Sequence, residues 1–171
     1  MTFKERIIKL FSGDSSNTEI IVNSPFEGNT FSTHMLSNYI LSNNIIGPSF
    51  AVLPTLGMIK APCDCTIKKI SPTGNSLSLK AGKLELIINV GVMPFTEDFD
   101  KYYCIKVKEQ ENVKKAQTLM YFNMEALYEI DPSFCCVLTV RMDNNLDYFV
   151  FANLQSVSFD SVLCTINVQN S

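Results

Sequence analysis

Asn75, Asn89, His34 and six cysteines are the residues whose types and placement bear most on chemistry in this chain. A neutral imidazole has an in-plane lone pair and titrates near neutrality, so it can act as a nucleophile or move a proton. The chain has one imidazole, His34, in a stretch that reads as a surface or loop position. An asparagine amide is different. Its nitrogen lone pair is delocalised into the carbonyl, so it is neither basic nor nucleophilic, although it keeps a donor and an acceptor. Asn75 lies in Lys69-Ile-Ser-Pro-Thr-Gly-Asn-Ser-Leu-Ser, and Asn89 in Leu84-Glu-Leu-Ile-Ile-Asn-Val-Gly-Val. On their own, residues 73–76 read as a turn between two short strands. Asn89 interrupts an apolar strand and would need a polar partner if buried. Among the cysteines, Cys63 and Cys65 form a C-x-C pair, Cys135 and Cys136 are adjacent, and Cys104 and Cys164 stand apart. There is no C-x-x-C, and one histidine is too few for a Cys/His zinc pattern. No metal or other cofactor is expected, and the thiols read as reduced, mostly buried small hydrophobes.

The elements that must position these residues are short and numerous. A chain of 171 residues, 46% hydrophobic and 18% charged, is one domain's worth with a real core. The formal charge of −3, without a basic block, argues against nucleic-acid binding. No apolar run reaches the roughly 18 residues of a membrane span, because Glu85 and Asn89 break the best candidate. Lys4, Glu5, Arg6 and Lys9 interrupt what would be a signal-peptide core. These features together predict a cytoplasmic setting.

Residues 2–11 predict an amphipathic helix, with Phe3, Ile7, Leu10 and Phe11 on one face and the charges on the other. Such a segment suits weak contact with an anionic membrane surface or packing on a partner. A polar linker at 12–18 then separates residues 1–18 from a domain at 19–171. From Glu19 the texture is short β runs divided by turns: Glu19–Asn23, Phe50–Leu53, Gly57–Ala61, Thr66–Ser71, Ser76–Lys80, Leu84–Val92, Tyr102–Lys108, Thr118–Phe122, Cys135–Arg141, Tyr148–Ala152 and Val162–Val168. One brief helix is predicted at Met124–Glu129. This pattern predicts an all-β fold, a single antiparallel barrel or sandwich.

Several segments, in order, resemble the glucose-type enzyme IIA of the bacterial phosphoenolpyruvate:sugar phosphotransferase system. Ser24-Pro-Phe-Glu-Gly28 resembles its opening P-x-x-G. Ile45-Ile-Gly47 followed by Phe50-Ala-Val-Leu-Pro54 resembles L-G-D-G-x-A-I-x-P, and Gly57-Met-Ile-Lys-Ala-Pro-Cys-Asp64 resembles G-x-V-x-A-P-x-D. Asn112-Val-Lys-Lys-Ala-Gln-Thr-Leu119 with Tyr121-Phe-Asn-Met124 resembles V-K-x-G-D-x-L-x-x-F-D-L, and Cys136-Val-Leu-Thr-Val140 resembles a late P-V strand. The two asparagine segments resemble T-x-H-A-x-S and E-L-L-I-H-I-G, which supply the family's phosphorylated and supporting histidines. Thr73, Ser78, Glu85, Leu86, Ile87, Ile88 and Gly91 fit those patterns.

The resemblance implies a barrel or sandwich of the duplicated-hybrid-motif kind, with Asn75 and Asn89 where the paired histidines would be. It also implies that a zinc site on those histidines would be absent. Departures cluster near the same place: Pro48-Ser49 replaces a D-G, Cys65 a glycine, Met93-Pro94-Phe95 a D-T-V, and Asn123 an aspartate. The first expectation is therefore a domain unable to carry phosphate that binds a protein. Its partner would be the system's phosphocarrier protein or a IIB/permease domain, met through Leu41, Asn75, Asn89, Val90 and Val92. One alternative is a working phosphocarrier in sugar transport that uses Asp64 or Glu85, since a carboxylate can accept a phosphoryl group. Another is a structural or small-molecule-binding barrel.

Overall fold

The computed structural model describes residues 18–92, 99–142 and 146–168. The helix expected at 2–11, with Phe3, Ile7, Leu10 and Phe11, lies outside them. Among the described residues, thirteen strands follow in chain order: β1 Thr18–Asn23, β2 Gly28–Phe31, β3 Ser49–Pro54, β4 Met58–Lys60, β5 Cys65–Ile70, β6 Ser76–Ala81, β7 Leu84–Val90, β8 Tyr103–Ile105, β9 Asn112–Val113, β10 Thr118–Phe122, β11 Cys136–Arg141, β12 Ser156–Val157 and β13 Val162–Val168. A 3₁₀ turn at Thr33–Met35 and three short helices, α1 Tyr39–Ser42, α2 Phe99–Tyr102 and α3 Met124–Ile130, complete the described structure.

All pairings between these strands are antiparallel. The main sheet has eight strands in the order β12-β2-β3-β11-β7-β6-β5-β9, beside a three-stranded sheet β4-β10-β8 and the ribbon β1-β13. The fold is thus mostly β, as expected, and of sandwich character. The barrel alternative is corrected: no sheet among the described residues closes on itself.

Period-two patterning builds the core. In β7, Leu84, Leu86, Ile88 and Val90 point inward and are fully buried, while Glu85, Ile87 and Asn89 alternate outward. In β6, Leu77, Leu79 and Ala81 do the same. These residues meet Ile59, Ile67, Leu119, Met120, Leu127 and Phe134 in one cluster. A smaller cluster of Leu36, Leu41, Ala51, Cys135 and Val137, with Phe31 and Val92 packed on it, lies apart from the main core.

Helix α3 is close to its expected place, and Asn123 caps it by accepting the Ala126 N–H at 3.1 Å. The strand expected at Tyr148–Ala152 is not one. Phe149 is buried and Tyr148 and Val150 are exposed, so the alternation is present. However, among the described residues its backbone meets β13 at isolated points, with Leu146 bridging Val168, Asp147 N–H reaching the Asn167 carbonyl and Ala152 N–H the Leu163 carbonyl, and no ladder forms. Strands β9 and β12, of two residues each, are too short to leave a sequence signal, and β2, Gly-Asn-Thr-Phe, opens on two residues that are poor strand formers.

Gly28 tests how closely β2 and β3 approach. A Cβ there would sit 2.1 Å from the Leu53 carbonyl oxygen and 2.8 Å from Val52 Cγ1. Backbone cannot yield as a side-chain tip does, so Gly28→Ala should cost about 1–3 kcal/mol, in the range of overpacking. Urea unfolding should show a lower midpoint, and an unchanged midpoint would refute the close approach.

Candidate functional site

Asn75 ends a four-residue turn, Pro72–Asn75, between β5 and β6. Gly74 has φ +72°, the left-handed conformation that glycine adopts without steric cost. The turn is tied by Gly74 N–H to the Ser71 carbonyl at 2.9 Å and Ser71 N–H to the Ser76 carbonyl at 2.9 Å. Side chains reinforce it. Asn75 Oδ1 accepts the Thr73 hydroxyl at 2.6 Å and the Ser71 hydroxyl at 3.1 Å, while Ser71 Oγ accepts the Ser76 N–H at 3.0 Å. The Asn75 carbonyl accepts the Val90 N–H at 2.7 Å, and Ser76 stands opposite Asn89 in the β6–β7 register. The two asparagines are therefore neighbours through the backbone, with the Asn75 carboxamide oxygen turned into its own turn.

Asn89 faces outward from β7, half-buried, with Val137 of β11 on one side and Ser76 of β6 on the other. Because it faces away from the core, it needs no internal polar partner, and the interrupted apolar run is explained. Beside it lies the smaller cluster. Leu41 belongs to that cluster and is 6% exposed, whereas Val90 is 0% exposed in the main core. These two are corrected as contact residues, because burial in their own fold removes them from a partner's reach. Val92 is half-buried and lines a cavity of about 280 Å³ with Phe31, Met35, Leu36, Ser37, Leu53 and Ser133.

The sequence reading gave no role to a set of exposed apolar side chains between Met35 and Ile46. Met35 is 77% exposed, Tyr39 73% and Ile45 59%, and Ile40 and Ile46 are also exposed. They come from the 3₁₀ turn, α1 and the following loop. The Asn38 side chain caps α1, accepting the N–H groups of Ile40 and Leu41. The available signal was an apolar run, Met35 to Ile46, matching neither strand nor long-helix periodicity. Met35, Tyr39 and Ile40 flank the buried Leu36 and Leu41 of the smaller cluster, whereas Ile46 lies toward the Glu85 end of the sheet, its carbonyl accepting the Met142 N–H.

Neither alternative nucleophile is placed to act there. Glu85 is at the opposite end of β7 from Asn89, roughly 13 Å away at strand rise, and pairs with Lys68 at 3.0 Å and Arg141 at 3.4 Å. Asp64 is exposed and bonds Lys114 Nζ at 3.0 Å and the Lys115 N–H at 2.8 Å. The Lys115 amide and then the Lys114 ammonium hold its carboxyl below the ordinary carboxylate value. His34 lies on a different cavity, of about 800 Å³, with Ser49, Phe151 and Asn153.

Residues 20–146 match the family described as phosphoenolpyruvate-dependent sugar phosphotransferase system, EIIA 1. The chain belongs to this family. The EIIA-family chain is 27% identical over 124 residues to the glucose-specific EIICBA component of the system from Staphylococcus carnosus (strain TM300), covering 68% of this chain and 18% of that protein. It is 30% identical over 115 residues to the glucosamine-specific EIICBA component from Bacillus subtilis (strain 168), covering 65% and 17%. It therefore spans under a fifth of the length of these curated relatives. The glucose permease IIA from Mycoplasma capricolum has the same fold, with a TM-score of 0.75 at 14% identity, covering 87% of this chain and 96% of that one. Among the described residues no helix is long and apolar enough to cross a membrane.

Proposed function

We propose that this EIIA-family domain no longer carries phosphate and docks a permease IIB domain of the sugar phosphotransferase system through the face around Asn89. The observation that carries the reading is the set of exposed apolar side chains Met35, Tyr39 and Ile40, on a segment packed through Leu36 and Leu41 on Ala51 and Val137, the β11 neighbour of Asn89. Exposed apolar side chains near a polar, uncharged position suit a protein surface better than a small charged substrate. The two curated relatives named above are EIICBA proteins, which supports a IIB domain as the kind of partner. With amides at 75 and 89, the complex has no phosphoryl group to pass, so the domain acts as a regulator or decoy in a cytoplasmic setting. Titrating the labelled domain with an isolated glucose-type IIB domain tests this. The expected result is saturable binding that maps to residues 35–41 and Val92. Met35→Ser with Tyr39→Ser should weaken it at least about tenfold, equivalent to about 1.4 kcal/mol, without lowering the unfolding midpoint. The absence of saturable binding by the folded domain removes the reading. Binding only to the phosphocarrier protein would reassign the partner.

A further inference from the structure

The C-x-C pair is outside the site around Asn89. Its two sulfurs share one bend: residues 62–64 are bent and β5 begins at Cys65. An extended chain would separate the two Cα atoms by roughly 6.6 Å; a bend shortens this toward the roughly 5.5–6 Å typical of a cystine. The bend is pinned on every side. The Pro62 carbonyl accepts the Asn23 N–H at 2.9 Å, Ala61 N–H reaches the Gln117 carbonyl at 2.9 Å, and Cys65 pairs with Val113. Asp64, between the thiols, is held by Lys114 and Lys115. Both cysteines are free, with 6% and 8% of their surfaces exposed, and each opens onto a hollow. Cys63 lines a cavity of about 340 Å³ with Ile20, Ile21, Gly82 and Lys83, and Cys65 lines one of about 400 Å³ with Lys80 and Lys114.

The neighbouring Cys65 side chain pulls the Cys63 thiol below the ordinary cysteine value, against burial and the Asp64 charge, and Cys63 together with burial pushes Cys65 above it. The pair is thus divided into an attacking and a resolving sulfur.

We propose that Cys63 and Cys65 are a redox-active dithiol that a low-molecular-weight disulfide converts reversibly to a cystine. The Cys63 thiolate attacks one sulfur of the small disulfide, the S–S bond breaks, and one thiolate leaves and takes a proton. Cys65 then gives up its proton, and its sulfur attacks Cys63 Sγ and expels the second thiol. The chain loses two hydrogens and the small disulfide gains them. A ring closed over one intervening residue is strained, which places such a bond among the readily reduced ones.

The test uses the full chain with Cys104→Ser, because Cys104 is exposed and would react first. The chain is incubated with oxidised glutathione, unfolded, alkylated and digested. The expected product is a peptide with Cys63 joined to Cys65, two fewer alkylated thiols, and full return of both on treatment with reduced glutathione. In the same background, Cys65→Ser should stop at a glutathione adduct on Cys63. A cystine joining either residue to Cys164, adducts on both sulfurs without closure, or two thiols still alkylated at the end each overturns the proposal. None of these outcomes depends on IIB binding.

Discussion

In a complete mixture of phosphoenolpyruvate, enzyme I and the phosphocarrier protein, this domain should take up no label above the background of an unrelated folded protein. The expected change is loss of the reaction rather than a slower rate. An amide at Asn75 and another at Asn89 offer no basic nitrogen, and imidazole-type attack needs one. The Asn75 Oδ1 is also engaged by Thr73 and Ser71. The carboxylates of Asp64 and Glu85 are tied in ion pairs away from Asn89, so they do not substitute. Radiolabel on a gel reads the result directly, and stoichiometric label on the unaltered chain refutes it. Asn75→His with Asn89→His should give partial labelling. Asn89 faces outward and half-buried on β7, so an imidazole fits there without touching the core. At position 75, the turn would lose the acceptor that holds Thr73 and Ser71.

Phe134→Ala should destabilise the domain by about 3–5 kcal/mol, more than Gly28→Ala. Phe134 is fully buried, with its ring 5.8 Å from Phe122 and 5.2 Å edge-on to Tyr128. It locks α3 and β10 against the start of β11. Removing the ring deletes its transfer free energy and leaves a cavity that three elements cannot close together. Since domain stability is typically only about 5–15 kcal/mol, the loss is a large share. Urea unfolding should show a much lower midpoint with a similar slope. Tyr148→Ala, at an 89% exposed aromatic residue, should move the midpoint by no more than about 0.5 kcal/mol equivalent. Equal effects from the two substitutions would contradict a core centred on Phe134.

Much of the fold was legible in the sequence where the governing physics is local. The alternation from Leu84 to Val90 fixes which side chains of β7 face inward, because successive Cβ atoms point to opposite faces. The same parity puts Val90 in the core with Leu86 and Ile88, against its expected place on a partner-facing surface. Pro72-Thr-Gly-Asn75 announces its turn by residue type, since Gly74 supplies the positive φ. The absence of imidazole from both asparagine segments is a fact of composition, and it bears on chemistry whatever the fold. By contrast, Tyr148–Ala152 alternates yet makes no ladder, because a strand needs a neighbour in register and that neighbour is set elsewhere in the chain.

The surface around Asn89 was decided by tertiary structure. No local rule says that Leu36 and Leu41 turn down onto Ala51 and Val137, or that Met35, Tyr39 and Ile45 are then left facing outward. Gly91, at φ +83°, bends the chain after β7 and brings Val92 to the smaller cluster, out of the strand's parity. The bend that carries Cys63 and Cys65 is likewise held by distant segments, through Asn23, Gln117 and Val113. The sequence determines which groups exist and the period at which they repeat. Only the packing of distant segments decides which of them meet, because burial is settled by what covers a face and not by the residues on it.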